Sequence, residues 1–291
     1  MKNNLYLIWI LLAGVCGAAL RGMSLLFGYE AESGLPVEGY LPATLLIALT
    51  AAVVLSAVLV GRYGYSARSA WSFEQMYGGL STPARALCML CGVAVMAVCI
   101  IGLLYLPEQQ LEQATVYGDT TMMPGTLLSI ATIVLWILGI VSGLCMLLLA
   151  VWQKAGRKAT RYTGMLVTIP MFWYCLDFIL VYHDNSGNPV LSDYSYLLLL
   201  LIAMMTSFYS AGSFLYSAKG AASRWVASAG IAVYLAFVHA GSAWIWMLRS
   251  HTDLTMMQWL GTAGALRVYL AVCVGLYLLL QLAASLRKTG E

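Results

Sequence analysis

Charge is what this chain has least of: 9% of its 291 residues are Asp, Glu, Lys or Arg, against about a quarter in an ordinary soluble domain. Hydrophobic residues make up 62%, and no stretch between the apolar runs is long enough to build a water-soluble domain. Function therefore sits in an apolar bundle, in its short loops or on a partner. Histidine is scarce as well. The three present are His183, His239 and His251; two of them belong at or beyond the ends of apolar runs, so the facing histidines of a membrane haem site are missing. No H-E-x-x-H, G-x-S-x-G or Walker sequence occurs, which removes the protease, kinase and NTPase readings. All seven cysteines, Cys16, Cys88, Cys91, Cys99, Cys145, Cys175 and Cys273, fall within apolar runs and read as small buried hydrophobes. Cys88 and Cys91 have the C-x-x-C spacing, but no second pair accompanies them. Neither a metal nor a cofactor site is expected.

What the chain does have is eight apolar runs, roughly Leu5 to Phe27, Leu41 to Val60, Ala84 to Leu106, Gly125 to Trp152, Tyr162 to Tyr182, Tyr194 to Ser217, Trp225 to Leu248 and Trp259 to Leu286. Each is about 20 residues or more, the length a helix needs to cross a hydrocarbon core about 30 Å thick. The pattern predicts an all-α polytopic membrane protein. Basic residues fall in alternate gaps: Lys2; Arg62, Arg68 and Arg85; Lys154, Arg157, Lys158 and Arg161; Lys219 and Arg224; Arg287 and Lys288. The other gaps carry Glu30, Glu32, Glu38, Glu108, Glu112, Asp119, Asp184, Asp193 and Asp253. Lys and Arg near span ends are retained on the cytoplasmic side during insertion, so both termini are expected inside, in the cytoplasmic membrane. The net charge of +3 is sorted by side, so it reports orientation and gives no sign of nucleic-acid binding. The first run resembles a signal peptide at its start, but it continues past the small residues around Cys16 to Phe27 and is read as a span.

The chain also reads as written twice. Tyr29-Glu-Ala-Glu-Ser-Gly34-Leu-Pro36-Val37 aligns without a gap on Tyr182-His-Asp-Asn-Ser-Gly187-Asn-Pro189-Val190, and Asp119-Thr-Thr-Met122-Met123 on Asp253-Leu-Thr-Met256-Met257. Residues 1–152 and 153–291 are then two four-helix membrane halves. Four spans per half is an even number, so the copies share one orientation and are expected as similar bundles side by side about an axis along the membrane normal. The segment 66–82 has no counterpart. It mixes Trp71, Phe73, Met76 and Tyr77 with Arg68, Glu74 and Gln75, as an interfacial helix would, and Trp71, Phe73 and Tyr77 are where a cytoplasmic partner would dock.

Chemistry is expected where ionisable groups are set inside the runs, because a charge at the centre of a membrane helix costs about 2.5–3.5 kcal/mol on insertion scales. These groups are Arg21, Asp177, His239 and Arg267, all in the outer half of the membrane. Arg21 and Asp177 occupy equivalent spans, which predicts an ion pair, or two walls of one pocket, where the halves join. One reading is an outward-opening pocket whose arginines attract an anionic or carbonyl-bearing small molecule, with Asp177 and His239 as hydrogen-bonding or protonatable partners. The plainer reading pairs Arg21 with Asp177, sends Arg267 to Glu30 or Glu38, and leaves His239 on a neighbouring carbonyl. Ser207, Ser210, Ser213 and Ser217 share one helix face that would line a route or serve packing, and Pro170 is placed to break a helix. Binding or transport of a small molecule is the leading function; a non-catalytic quinone-type membrane anchor and a structural or assembly subunit are the alternatives.

Overall fold

The computed structural model of the chain describes residues 2–30, 35–64, 73–78, 80–106, 126–153, 158–186, 191–216, 221–249 and 263–287. The described helices, in chain order, are α1 (Lys2–Phe27), α2 (Leu41–Leu59), α3 (Phe73–Tyr77), α4 (Thr82–Leu104), α5 (Thr126–Trp152), α6 (Arg161–Asp184), α7 (Leu191–Tyr216), α8 (Ala221–Arg249) and α9 (Ala263–Arg287). All but α3 are long and apolar enough to cross a membrane, eight in number. Helix is the form such runs take because it satisfies every backbone N–H and C=O within the segment, where no water is present to do so. The architecture is multi-pass and transmembrane. Arg62, Lys158, Arg161 and Arg224 lie at one end of the bundle, called here the basic end, and Glu30, Glu38 and Asp184 at the other, the acidic end.

Packing centres on α8, which lies against α1, α2, α7 and α9. Helices α4 and α5 pair closely, α5 leads to α6 and α6 to α7, and α9 touches α4 as well as α8. The two halves of the chain thus interlock through α1 on α8 and α4 on α9. The helix that the alignment matches to α8 is α4, whose principal neighbours are α5 and α9. The matched tyrosines also differ in setting: Tyr29 follows α1 and bridges to Pro36, while Tyr182 is part of α6.

Small residues set the closest approach. A Cβ on Gly92 of α4 would lie 2.8 Å from the Gly143 carbonyl oxygen and 2.9 Å from the Leu147 nitrogen of α5, so the two backbones touch there and any side chain would force them apart. In membranes this close van der Waals contact replaces the hydrophobic drive that assembles soluble bundles. Pro170 lies buried within α6 without ending it. On the serine face of α7, Ser207 Oγ donates to the Ala203 carbonyl of its own helix at 2.6 Å, and Ser213 Oγ accepts from Arg224 at 3.3 Å.

Of the segment 66–82, residues 73–78 and 80–82 are described. Helix α3 tucks into the basic end of the bundle, with Phe73 4% and Tyr77 2% exposed. Phe73 stacks on Tyr77 (centroids 4.8 Å apart, 9° between planes) and meets Trp152 at 5.7 Å and Phe214 at 6.0 Å; Tyr77 meets Trp225 edge-on at 5.1 Å. Glu74 Oε1 accepts the Ala159 backbone N–H at 2.9 Å, tying α3 to the approach of α6. Phe73 and Tyr77 are thus packed against their own chain; Trp71 lies outside the described residues. Beneath α3, Gln153 and Gln281 exchange two amide hydrogen bonds of 2.8 Å each, satisfying two buried side chains that would otherwise be costly in this setting.

Candidate functional site

Arg21 stands six residues before the end of α1, Asp177 seven before the end of α6, His239 ten before the end of α8 and Arg267 four after the start of α9. At 1.5 Å per residue these depths are about 6–15 Å from the acidic ends of their helices. All four therefore occupy the same half of the bundle, but their pairing differs from the expectation. Asp177 pairs with Arg267: Nε donates to Oδ1 at 3.1 Å and Nη2 lies 3.1 Å from the same oxygen. The Asp177 side chain is 5% and that of Arg267 15% exposed, so the pair is inside the protein. Neither Arg21 with Asp177 nor Arg267 with Glu30 or Glu38 is the pair formed. The reason is packing. Helix α1 lies on α8 and α2, away from α6, whereas the long side chain of Arg267 spans the gap from α9 to α6.

Arg21, 5% exposed, instead places its guanidinium over the Tyr196 ring, 4.6 Å from the centroid, a cation–π contact that strengthens when desolvated. Tyr196 belongs to a hydroxyl cluster drawn from three helices. Thr50 Oγ1 on α2 lies 2.8 Å from the Tyr234 hydroxyl on α8 and 3.3 Å from the Tyr196 hydroxyl on α7. Thr50 also donates to the Leu46 carbonyl at 2.8 Å. A threonine has one O–H and two lone pairs, so with that proton committed to Leu46 both phenols donate to Thr50. Each phenol oxygen then keeps its lone pairs for a further donor.

His239 is carried by α8, which packs against both α1 and α9, the helices that bear Arg21 and Arg267. Its Nε2 is buried and has no hydrogen-bond partner among the described residues. No protein-family model, curated protein or solved structure matches the chain. The site has to be judged on its own geometry. Among the described residues no three His, Cys, Asp or Glu side chains are grouped as metal ligands.

Two cavities flank this region. The larger, about 520 Å³, is an almost wholly apolar groove between α1, α8 and α9, walled by Ala18, Ala240, Gly241 and Gly275 among others. Its lining does not include any of the four ionisable residues, which separates it from the polar chemistry. The smaller, about 10 Å³, is lined by Tyr174, Asp177 and Arg267 together with leucines of α7 and α9. Thr50, Tyr174, Tyr196 and Tyr234 are the site residues that sequence reasoning passed over. A hydroxyl or phenol is cheap enough in a membrane helix to carry no signal by itself, and only the tertiary contacts distinguish these from the chain's other tyrosines and threonines.

Proposed function

We propose that this chain binds, and passes across the cytoplasmic membrane, a small anionic or carbonyl-bearing molecule that enters from the outer side at the cluster of Arg21, Asp177, His239 and Arg267. The observation that carries the reading is the Asp177–Arg267 ion pair, set inside an apolar helix bundle, in the half of the bundle that also holds a buried histidine nitrogen with no hydrogen-bond partner among the described residues. Ionisable groups at such depth are expensive, and a buried pair is often no more stabilising than hydrophobic residues of the same volume. A chain that retains one is using it. In the proposed orientation both termini are cytoplasmic and the acidic end faces out, supported by the sorting of Lys and Arg to the other end. The parallel duplication is part of the same reading and is supported by the Tyr-Ser-Gly-Pro-Val and Asp-Thr-Met-Met matches; on it, Arg21 and Thr50 come from one half and the remaining site residues from the other.

The test is a thermal-unfolding screen of the purified chain against small carboxylates, amides and alcohols, followed by flux measurements in vesicles with any compound that stabilises. Stabilisation in the wild type that is lost in Arg267→Ala supports the reading. A screen in which no compound acts, or in which compounds act equally on both proteins, sinks it. The apolar groove of about 520 Å³ favours a second reading, a non-catalytic quinone-type anchor, which a co-purifying redox subunit would support. An assembly subunit would neither bind these compounds nor bring such a subunit with it.

A further inference from the structure

Tyr174 stands one turn before Asp177 on α6, and residues three apart on a helix share a face. It is 3% exposed, and its hydroxyl is buried without a hydrogen-bond partner among the described residues. A phenol in that position is an unused donor, and burying one unsatisfied costs stability. The cavity that Tyr174, Asp177 and Arg267 line, about 10 Å³, is the size that admits one water molecule. Leu197, Leu200, Leu201, Met204, Leu270 and Ala271 form the rest of its wall. Within the ion pair the contacts are one-sided: Arg267 Nε and Nη2 both approach Asp177 Oδ1, so Oδ2 receives neither bond. The cavity is thus walled by a residue able to donate, Tyr174, and one able to accept, Asp177, and the charges beside it already cancel.

We infer that this site takes a small uncharged molecule that carries a carbonyl and an N–H together, a primary amide, whose carbonyl oxygen accepts from Tyr174 and whose NH2 donates to Asp177 Oδ2. A carboxylate fits the polar groups less well. It would bring a second negative charge next to Asp177, with Arg267 already matched, and an uncompensated charge in a low-dielectric site is strongly disfavoured. An ammonium ion meets the converse problem beside Arg267. Occupants larger than water require the leucines and Met204 to repack, which an unbranched thioether side chain does readily; the smallest amides are therefore the ones to use. This narrows the ligand class of the proposed binding function and rests on it.

The experiment is thermal unfolding of the purified chain with acetamide, acetate and methylammonium, which are all small and differ in charge, at one chloride-matched ionic strength. Acetamide is expected to raise the unfolding temperature with a saturating concentration dependence, and the two ions are not. Tyr174→Phe is expected to weaken the acetamide response about tenfold, the loss of one hydrogen bond to a buried group. Saturable stabilisation by acetate that exceeds that of acetamide and disappears in Arg267→Ala would overturn the amide assignment while leaving the binding function standing. No response to any of the three overturns both. An unchanged acetamide response in Tyr174→Phe removes the role given to the phenol, and if that variant fails to fold, the wild-type comparison of acetamide with acetate still decides the class.

Discussion

Arg267 and Asp177 show how a membrane interior prices charge. Each alone would be an ion taken from water; together they lie 3.1 Å apart and nearly enclosed. Removing one partner of such a pair leaves the other uncompensated, at a cost of about 3–5 kcal/mol. Arg267→Ala and Asp177→Ala are each expected to lower unfolding stability by about that much, with the double variant losing clearly less than the sum, because the two residues are coupled. Arg21→Ala combined with Asp177→Ala should be close to additive, since Arg21 rests on Tyr196 and not on Asp177. Unfolding titrations of the wild type and the five variants, Arg21→Ala alone among them, check both statements. Additivity of the Arg267 and Asp177 losses would mean that the observed contact does not hold in the membrane. The sequence makes these residues stand out because four ionisable groups lie within apolar runs, but it contains nothing to say which of them meet. That depends on which helices are neighbours, and a span that is apolar all round advertises no preferred partner.

At the scale of the element, α3 is the instructive case. A short run mixing Phe73, Tyr77 and Glu74 has the composition of a helix lying in the headgroup layer, and the same composition serves a plug. The difference lies in what the neighbouring helices present. Trp152, Phe214 and Trp225, from the basic-end turns of α5, α7 and α8, form an aromatic receptacle that Phe73 and Tyr77 fill, and residues so distant in sequence cannot be recognised as one pocket before the fold is known. By contrast, the eight long helices follow directly from the hydropathy pattern, with α2 observed over Leu41–Leu59 and α5 over Thr126–Trp152, because hydrocarbon thickness dictates their length. Phe73→Ala removes a side chain enclosed on every side and is expected to cost about 3–5 kcal/mol. Tyr63→Ala, at a position 74% exposed, should stay within about 0.5 kcal/mol of wild type. Equal, small effects of the two substitutions on unfolding would mean that α3 does not occupy the bundle in the membrane.

For the molecule as a whole, the sidedness of the bundle decides which compartment the polar site faces. Arg21, Asp177, His239 and Arg267 are all nearer the acidic end, about 6–15 Å along their helices from it, while α3 and its aromatic receptacle close the basic end. If Lys and Arg mark the cytoplasmic face, the site opens outward and the plug lies inside, the arrangement wanted for capture of an external molecule; the reverse orientation would make the same residues a site for a cytoplasmic one. Single cysteines at Glu30 and Asp184 on the acidic end, and at Lys158 and Arg224 on the basic end, separate the two. Four of the native cysteines, Cys88, Cys91, Cys99 and Cys145, are buried, and Cys16, Cys175 and Cys273 lie within the apolar spans of α1, α6 and α9, so a polar impermeant maleimide meets little background. Labelling of Glu30→Cys and Asp184→Cys in intact cells, with Lys158→Cys and Arg224→Cys protected until lysis, is the expected result. Labelling of Lys158→Cys in intact cells would invert the topology and, with it, the side from which the ligand of the Asp177–Arg267 site arrives.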